Sequence, residues 1–311
     1  MGKQTHFVSK NSTRFHSKRY IRIFIGKLIK NNCLYIFYYS IMANFVPDYL
    51  AKKNAHERDA FITFDEGPHI YTVHGDSSFT SVTTWNHGHF PHFDEEGILD
   101  NIMKSRKRSD PTYKYYGKTR EQIKEEWDKN RDEAAAAGTK MHYDIECYYN
   151  EMEVKNDSIE YQWFQRFVKD FPDLKPYRTE WMVYYEELKL SGSIDMIFEN
   201  PDGTLQIYDW KRCRAIEYEN GFGQTAVNPV ISHLPDTNFW HYSLQLNTYK
   251  TILELKYGKK ITGMYLVCLH PNNCYKTYDR LEVPDLKKEM TDLFAQRKAQ
   301  VEEMRSNSKN S

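Results

Sequence analysis

The stretch 189–212 constrains the fold of this chain more than any other. Residues 189–200 and 204–212 are rich in β-branched and aromatic residues, which favour strands. Between them, Pro201 and Asp202 suit the centre of a type I turn, and Gly203 suits the left-handed position after it. This stretch is therefore predicted to form a β-hairpin with a three-residue loop.

The loop also fixes which residues of the hairpin face one another. Asn200 is set against Thr204, so Asp195 is predicted to lie opposite Asp209, with their Cβ atoms about 4.5–5.5 Å apart. Strand alternation then separates two faces. One face is predicted to carry Ser193, Asp195, Ile197, Ile207, Asp209 and Lys211. The other, predicted to pack into the core, carries Ile194, Met196, Phe198, Tyr208 and Trp210.

Two facing carboxylates predict a cation site. Asp195 and Asp209 would repel one another in a partly buried sheet unless a cation lies between them or one stays protonated. Their hard oxygen ligands favour Mg²⁺, with Mn²⁺ as a substitute. Glu180, on the preceding predicted strand 179–187, shares this face if the turn after it has an even number of residues.

Lys211 is predicted to place its ammonium beside the same ion. There it could orient or deprotonate an attacking water and offset phosphate charge. A salt-bridged surface hairpin, in which Asp and Lys alternate for solubility, is the structural alternative for Asp195 and Asp209 alone.

The remaining pattern predicts helices on either side of this meander. A helix is predicted to begin after Thr119 with a Thr-x-x-Gln capping box, to run towards Tyr149, and to be split in two at Gly138. Short strands are predicted within 61–83, a helix at 238–257, a strand at 261–270 and a final helix from about Pro284.

Several short motifs resemble the PD-(D/E)XK nuclease superfamily. Gly192-Ser-Ile-Asp195 followed by Ile207-Tyr-Asp209-Trp-Lys211 is similar to its D…(D/E)xK core. Gly138-Thr-Lys-Met-His142, Thr179-Glu180 and Gln245-Leu-Asn-Thr-Tyr249 resemble additional motifs of the RecB-like, lambda-exonuclease-like branch. Residues from about 60 to 305 also resemble predicted nucleases of large DNA viruses.

The resemblance implies a fold and a set of roles. It implies an α/β fold with a restriction-endonuclease-like core, a central mixed β-sheet flanked by helices, and an N-terminal lobe. It assigns metal binding to His142, Glu180, Asp195, Asp209 and the Trp210 carbonyl. It further assigns Lys211 to the water, and Gln245 and Tyr249 to the DNA strand or to orienting Lys211. Asp209 departs from the commoner Glu, and the four-cysteine cluster of some relatives is absent.

A basic stretch is the candidate path for a nucleic-acid strand. It consists of Lys104, Arg106, Lys107, Arg108, Lys114 and Lys118, interleaved with Tyr113, Tyr115 and Tyr116. Cations suit phosphates and rings suit unpaired bases, although a solvated surface is the alternative. The patch has to be local, because residues 42–311 hold 35 basic against 43 acidic side chains.

The first 41 residues differ in composition from the rest. They hold eight Lys or Arg and no acid, so they are predicted to be a basic leader outside the fold, with either a mitochondrial transit peptide or a start at Met42 as its explanation. Residues 42–311 are predicted to be one nuclease domain with its catalytic core at about 131–283. Five scattered cysteines indicate reduced packing thiols in an intracellular protein. If the protein is viral, the host site of DNA replication is expected.

These observations lead to one functional hypothesis with alternatives. The chain is expected to be a Mg²⁺-dependent deoxyribonuclease, with exonuclease action in replication, recombination or repair. The alternatives are an RNA-directed or structure-specific endonuclease of the same fold, and a noncatalytic nucleic-acid-binding protein. DNA is the expected partner and no membrane is expected. His87, His89 and His92 have no common zinc-site spacing and are predicted to lie in a loop.

Overall fold

A computed structural model describes residues 46–309 of the chain. The predicted leader at residues 1–41 and the alternative start at Met42 lie outside the described residues.

The described part is a mixed α/β structure, which confirms the predicted fold class. The α-helices are α1 (Tyr49–Lys53), α2 (Val82–His87), α3 (Glu95–Lys104), α4 (Arg120–Tyr149), α5 (Ile159–Asp170), α6 (Asn238–Lys256) and α7 (Lys287–Lys309). The strands are β1 (Ile62–Asp65), β2 (Ile70–Val73), β3 (Thr80–Ser81), β4 (Lys175–Tyr185), β5 (Leu190–Glu199), β6 (Leu205–Lys211), β7 (Ile261–Cys268) and β8 (Asp279–Glu282). Helix α5 and strand β8 were not predicted from the sequence.

The central sheet has six strands, and β5 pairs with three of them, β3, β4 and β6. Strand β4 runs antiparallel along one side of β5, from the Tyr185–Leu190 pair to the Lys175–Glu199 pair. The other side of β5 is shared: β3 pairs with Leu190 and Ser191, whereas β6 pairs only from Met196 onward. Residues 192–195 of β5 therefore face a gap between β3 and β6. Beyond β6, the sheet continues through parallel β7 to antiparallel β8.

The predicted hairpin register is confirmed where β5 and β6 pair. Met196 pairs with Tyr208 and Glu199 with Leu205, as the turn chemistry requires. The Asn200 amide donates to the Thr204 carbonyl at 2.8 Å, and Gly203 takes φ 80°, a conformation that glycine adopts without a side-chain penalty. The ladder ends one position before Asp195 and Asp209, so these two residues are not a paired couple.

Helix α4 is continuous over its 30 residues, and the predicted break at Gly138 is wrong. The Thr119–Gln122 capping box is present, as predicted. A Cβ at Gly138 would meet no other atom, so nothing in the packing bends the helix there. One glycine costs a helix only about 1 kcal/mol relative to alanine, and the neighbouring alanines have high helix propensity.

Two hydrophobic clusters cover the sheet. The smaller one contains Met141 and Ile145 of α4, Phe164 and Phe167 of α5, the strand residues Met196, Phe198, Tyr208, Trp210 and Val267, and Leu269 just after β7. The larger one includes α2, α6, α7 and the β1–β2 hairpin. Ile194 lies in the larger cluster with Ile197, rather than beside Met196 as strict alternation predicts. The interrupted pairing at Asp195 accounts for this difference.

The N-terminal lobe is attached to the sheet through Asp59. This carboxylate accepts hydrogen bonds from Arg178 Nη1 at 2.7 Å and from Trp181 Nε1 at 2.9 Å. Arg178 is only 5% exposed, so its charge depends on this partner. The lobe is thereby tied to β4, the strand that carries Glu180.

Candidate metal centre

The candidate site lies beside the gap between β3 and β6. Asp195 is on β5 in the gap, and Glu180 stands opposite it on β4. The turn between β4 and β5 has four residues, 186–189, so the even-numbered turn needed to bring the two carboxylates together is present. Helix α4 brings His142 to the same place.

Three of the predicted ligands converge there. One atom from each of His142, Glu180 and Asp195 lies within 4.8 Å of the other two. His142 Nδ1 is 3.4 Å from Asp195 Oδ2 and 3.9 Å from Glu180 Oε1. A nitrogen and two carboxylate oxygens at these separations could hold a divalent cation, and residues 46–309 contain no second group of this kind.

Glu180 occupies its position at a cost in backbone energy. Its φ is +43°, which is uncommon for a residue with a side chain, and the β4–β5 ladder skips the Glu180–Asp195 position. Such conformations persist where surrounding structure enforces them and are enriched at functional sites. Ser193 Oγ donates to Glu180 Oε2 at 2.8 Å and holds the carboxylate in place.

Burial and charge repulsion shape the protonation of the site. Burial, followed by the Asp209 carboxylate, raises the pKa of Asp195 to about 7. Burial lowers the pKa of His142, but the Asp195 and Glu180 carboxylates outweigh it and raise this pKa to about 9. The two carboxylates therefore favour the protonated form of His142 at neutral pH.

Asp209 and Lys211 form a second layer next to this cluster. Lys211 Nζ lies 2.6 Å from Asp209 Oδ2 and 4.5 Å from the centre of the Tyr242 ring. Burial lowers the pKa of Lys211, but the Asp209 and Asp195 carboxylates raise it above its ordinary value overall. Asp209 is not part of the compact ligand group, because its carboxylate is engaged by Lys211.

Asp195 also contacts the backbone of β6. Its Oδ2 accepts a hydrogen bond from the Trp210 amide at 2.9 Å, so a side chain takes over where the β5–β6 ladder stops. The Trp210 ring itself is buried in the smaller cluster. Metal binding by the Trp210 carbonyl stays a prediction.

Gln245 and Tyr249 lie on α6, facing β5. The Tyr249 ring is 3% exposed and rests on Gly192, where a Cβ would stand 2.7 Å from Oη. Burial raises the pKa of this phenol well above its ordinary value, and Gln245 hydrogen bonds to it. Tyr249 thus takes part in helix–sheet packing beside Asp195, and contact of either residue with DNA stays a prediction.

The predicted basic path is only partly free of partners. Lys104 pairs with Asp100 at 3.7 Å, and Arg108 Nη2 donates to the Lys118 carbonyl at 2.6 Å. Both Lys114 and Lys118 pair with Glu126. Arg106 and Lys107 are exposed, and in the part of the chain that the structure describes neither forms an ion pair.

Two residues that contact the site were assigned no role in the sequence analysis. Tyr242 lies beneath the Lys211 ammonium, and Ser193 holds Glu180. The spacing of Tyr242, Gln245 and Tyr249 on one helix face was the available signal for the first. Ser193 had a weaker signal, two residues before Asp195.

Among residues 46–309, no metal-binding group includes His87, His89 or His92. Their predicted loop is wrong for His87, which ends helix α2. His89 is buried and contacts Asn228 Nδ2 at 3.0 Å through Nδ1. Across the described helices, none is both long and apolar enough to cross a membrane.

Comparison with known proteins gives little further information. No family model matches the chain, and no curated protein matches it. One solved structure, a provisionally assigned exonuclease from Eubacterium rectale, aligns over 49% of this chain and 72% of its own. The identity is 13% and the TM-score is 0.24.

Proposed function

We propose that this protein is a divalent-metal-dependent nuclease that hydrolyses DNA phosphodiester bonds. The observation that carries the proposal is the convergence of His142, Glu180 and Asp195 within 4.8 Å, with the Asp209–Lys211 pair beside them. In a surface hairpin that alternates Asp and Lys for solubility, these groups would be exposed, and no histidine from a helix would be needed beside them. The geometry therefore favours the catalytic alternative.

The donor set fits Mg²⁺ or Mn²⁺. Carboxylate oxygens suit both ions, and the His142 nitrogen suits Mn²⁺ better than Mg²⁺. A divalent ion bound there would supply Lewis acidity towards a phosphate oxygen and lower the pKa of an attacking water. Burial, and then the neighbouring Asp209 carboxylate, raise the pKa of Asp195 by disfavouring its charged form, and a bound cation would offset both effects.

The surrounding residues have roles that follow from their contacts. Ser193 fixes the Glu180 carboxylate, and the Trp210 amide fixes Asp195. Lys211 stays protonated between Asp209 and Tyr242, so its ammonium suits binding of a phosphate oxygen. Arg106 and Lys107 are the members of the basic stretch that remain available to a strand backbone.

We further assign the chain to the RecB-like branch of the PD-(D/E)XK superfamily, of the kind encoded by large DNA viruses. The motifs around His142 and Gln245 support exonuclease action within that branch. We also propose that residues 42–311 form a single nuclease domain. RNA cleavage is the second candidate, favoured by the histidine in the ligand set.

A cleavage assay tests the proposal. The wild type is incubated with Mg²⁺ or Mn²⁺ and with end-labelled linear DNA, circular DNA and matched RNA. Linear DNA should be degraded from its ends and circular DNA should survive. Cleavage of RNA alone would replace the substrate class, and no cleavage of any substrate under either ion would refute nuclease function.

Matched variants separate the site from general effects. Asp195→Asn and Lys211→Met should each lower the rate more than about 100-fold, because even outer partners of metal ligands are worth about 10–100-fold. Asp173→Asn and Lys288→Met make the same chemical changes on the exposed surface and should leave the rate unchanged. Unchanged rates in the first pair would reject the assigned residues.

Metal binding has its own readout. Because His142 must lose its proton to bind a metal, binding should release protons and strengthen as the pH rises towards 9. Calorimetric titration of Mn²⁺ in two buffers of different ionisation enthalpy measures the proton release. Binding that is independent of pH between 6 and 9 would exclude His142 as a ligand.

A further inference from the structure

The two thiols at the carboxyl ends of β6 and β7 lie in contact. Cys213 Sγ is 3.4 Å from Cys268 Sγ. Cys268 is the last residue of β7 and the pairing partner of Lys211, whereas Cys213 follows Lys211 by two residues. The two thiols are therefore neighbours in space although they lie 55 positions apart in the chain.

The distance is short enough for covalent bonding after a small movement. A disulfide needs about 2.05 Å between the sulfur atoms, so the two must approach by about 1.4 Å. Cys213 lies two residues after the end of β6, where regular pairing has stopped, and it is followed by an irregular segment. Cys213 is thus better able to move than Cys268, which lies within the sheet.

The two thiols differ in access and in acidity. Cys268 is 1% exposed, whereas Cys213 is partly exposed. The hydrogen bond from Cys268 lowers the pKa of Cys213 in spite of its burial, and the nearby Lys211 ammonium acts in the same direction. The same hydrogen bond and burial raise the pKa of Cys268. Cys213 is accordingly the thiol that reaches the reactive thiolate form.

We propose that Cys213 and Cys268 form a reversible redox site, in which a peroxide converts the two thiols into a disulfide. The Cys213 sulfur attacks one peroxide oxygen, the O–O bond breaks, and sulfenic acid and one water form. The Cys268 sulfur then displaces the hydroxyl from that sulfenic acid, giving the disulfide and a second water. Together the thiols lose two electrons and two protons, and hydrogen peroxide becomes two waters.

The crosslink would attach the segment after Lys211 to the adjacent strand. The Leu269 amide already donates to the Lys211 carbonyl at 2.8 Å, so the two strand ends are held together before oxidation. Such prior alignment favours the intramolecular disulfide over reaction with an external thiol.

Peptide mapping of the full-length protein tests this site. The reduced protein is treated with hydrogen peroxide, free thiols are alkylated under denaturing conditions, and the digest is analysed by mass spectrometry with and without dithiothreitol. We expect a crosslinked peptide pair joining Cys213 to Cys268, lighter by two hydrogens and lost on reduction. Mapping reports the crosslink whether or not the protein cleaves DNA.

Controls use the exposed thiol of Cys274. Cys274→Ser should keep the crosslink, whereas Cys213→Ser should abolish it. In the wild type, Cys213 converted to sulfinic acid, or Cys213 joined to a different cysteine, would overturn the assignment. The wild-type result alone decides this if either variant fails to fold.

Discussion

Substitution of Gly192 tests how tightly helix α6 is packed against β5 next to the site. A Cβ at Gly192 would stand 2.7 Å from Tyr249 Oη and 2.9 Å from its Cε1, closer than such atoms approach. Tyr249 is buried and hydrogen bonded to Gln245, so its ring has little room to withdraw. Gly192→Ala should therefore strain the core where Asp195 and Tyr249 meet.

The magnitude follows from two opposing effects. The φ of Gly192 is not among the positive values in the described chain, so alanine fits the backbone and would otherwise stabilise by about 0.4–1 kcal/mol. Overpacking a core costs about 1–3 kcal/mol. We expect Gly192→Ala to lower the free energy of unfolding by about 1–2 kcal/mol. Gly138→Ala, where a Cβ meets open space, should instead raise it by about 1 kcal/mol.

Urea unfolding followed by circular dichroism measures both values. A double-mutant cycle locates the cause: in a Tyr249→Leu background the cost of Gly192→Ala should fall by about 1 kcal/mol or more, because the clashing ring is gone. If Gly192→Ala stabilises the protein as Gly138→Ala does, or costs the same in both backgrounds, the packing argument fails.

Three further perturbations have distinct outcomes. At a concentration 100 times its dissociation constant, Mn²⁺ should stabilise the wild type by about 2.7 kcal/mol in thermal denaturation and should not stabilise Asp195→Asn. Asp59→Ala leaves the buried Arg178 without its carboxylate and should cost about 3 kcal/mol or more in urea unfolding. Burial lowers the pKa of His89 to about 4. At His89 the unfolded chain therefore binds more protons between pH 6.5 and 4, so the contribution of His89 to stability should fall by about 3 kcal/mol as the pH drops through that range, measured as the difference between the wild type and His89→Asn.

Each of these has a result that would contradict it. Equal Mn²⁺ stabilisation in Asp195→Asn would place the ion elsewhere. A loss below about 1 kcal/mol in Asp59→Ala would show that Arg178 is not dependent on that carboxylate. His89→Asn should remove the His89 contribution to the pH dependence of stability, and a pH dependence identical to that of the wild type would contradict the lowered pKa of His89.

Local sequence chemistry was sufficient for the hairpin and its neighbours. The turn at Pro201–Gly203 has few conformations available to it, so it sets the register of β5 against β6 without help from distant residues. The capping box at Thr119 and the stop near Gly258 are similarly local signals, and α4 and α6 obey them. The predicted helix break at Gly138 was wrong because the small cost of one glycine is outweighed by the rest of a 30-residue helix.

The candidate site also combines features that local sequence signals predict with features that depend on tertiary contacts. The strand pattern could place Glu180 and Asp195 on one face only if the turn between them had an even number of residues, and the four-residue turn meets that condition. Their irregular backbone, and the engagement of Asp209 by Lys211, depend on how buried charges are compensated. The spacing of side chains along one strand does not indicate how buried charges are compensated.

The sequence by itself determined strands β4 to β7 and the register of the β5–β6 hairpin, because period-two alternation and turn geometry act over a few bonds. The tertiary structure alone decided that β3 and β6 share one side of β5 and leave a gap at residues 192–195. It also decided that His142 reaches this gap and that Cys213 meets Cys268. These contacts join residues that are distant in the chain, and packing of whole elements, rather than local propensity, selects them.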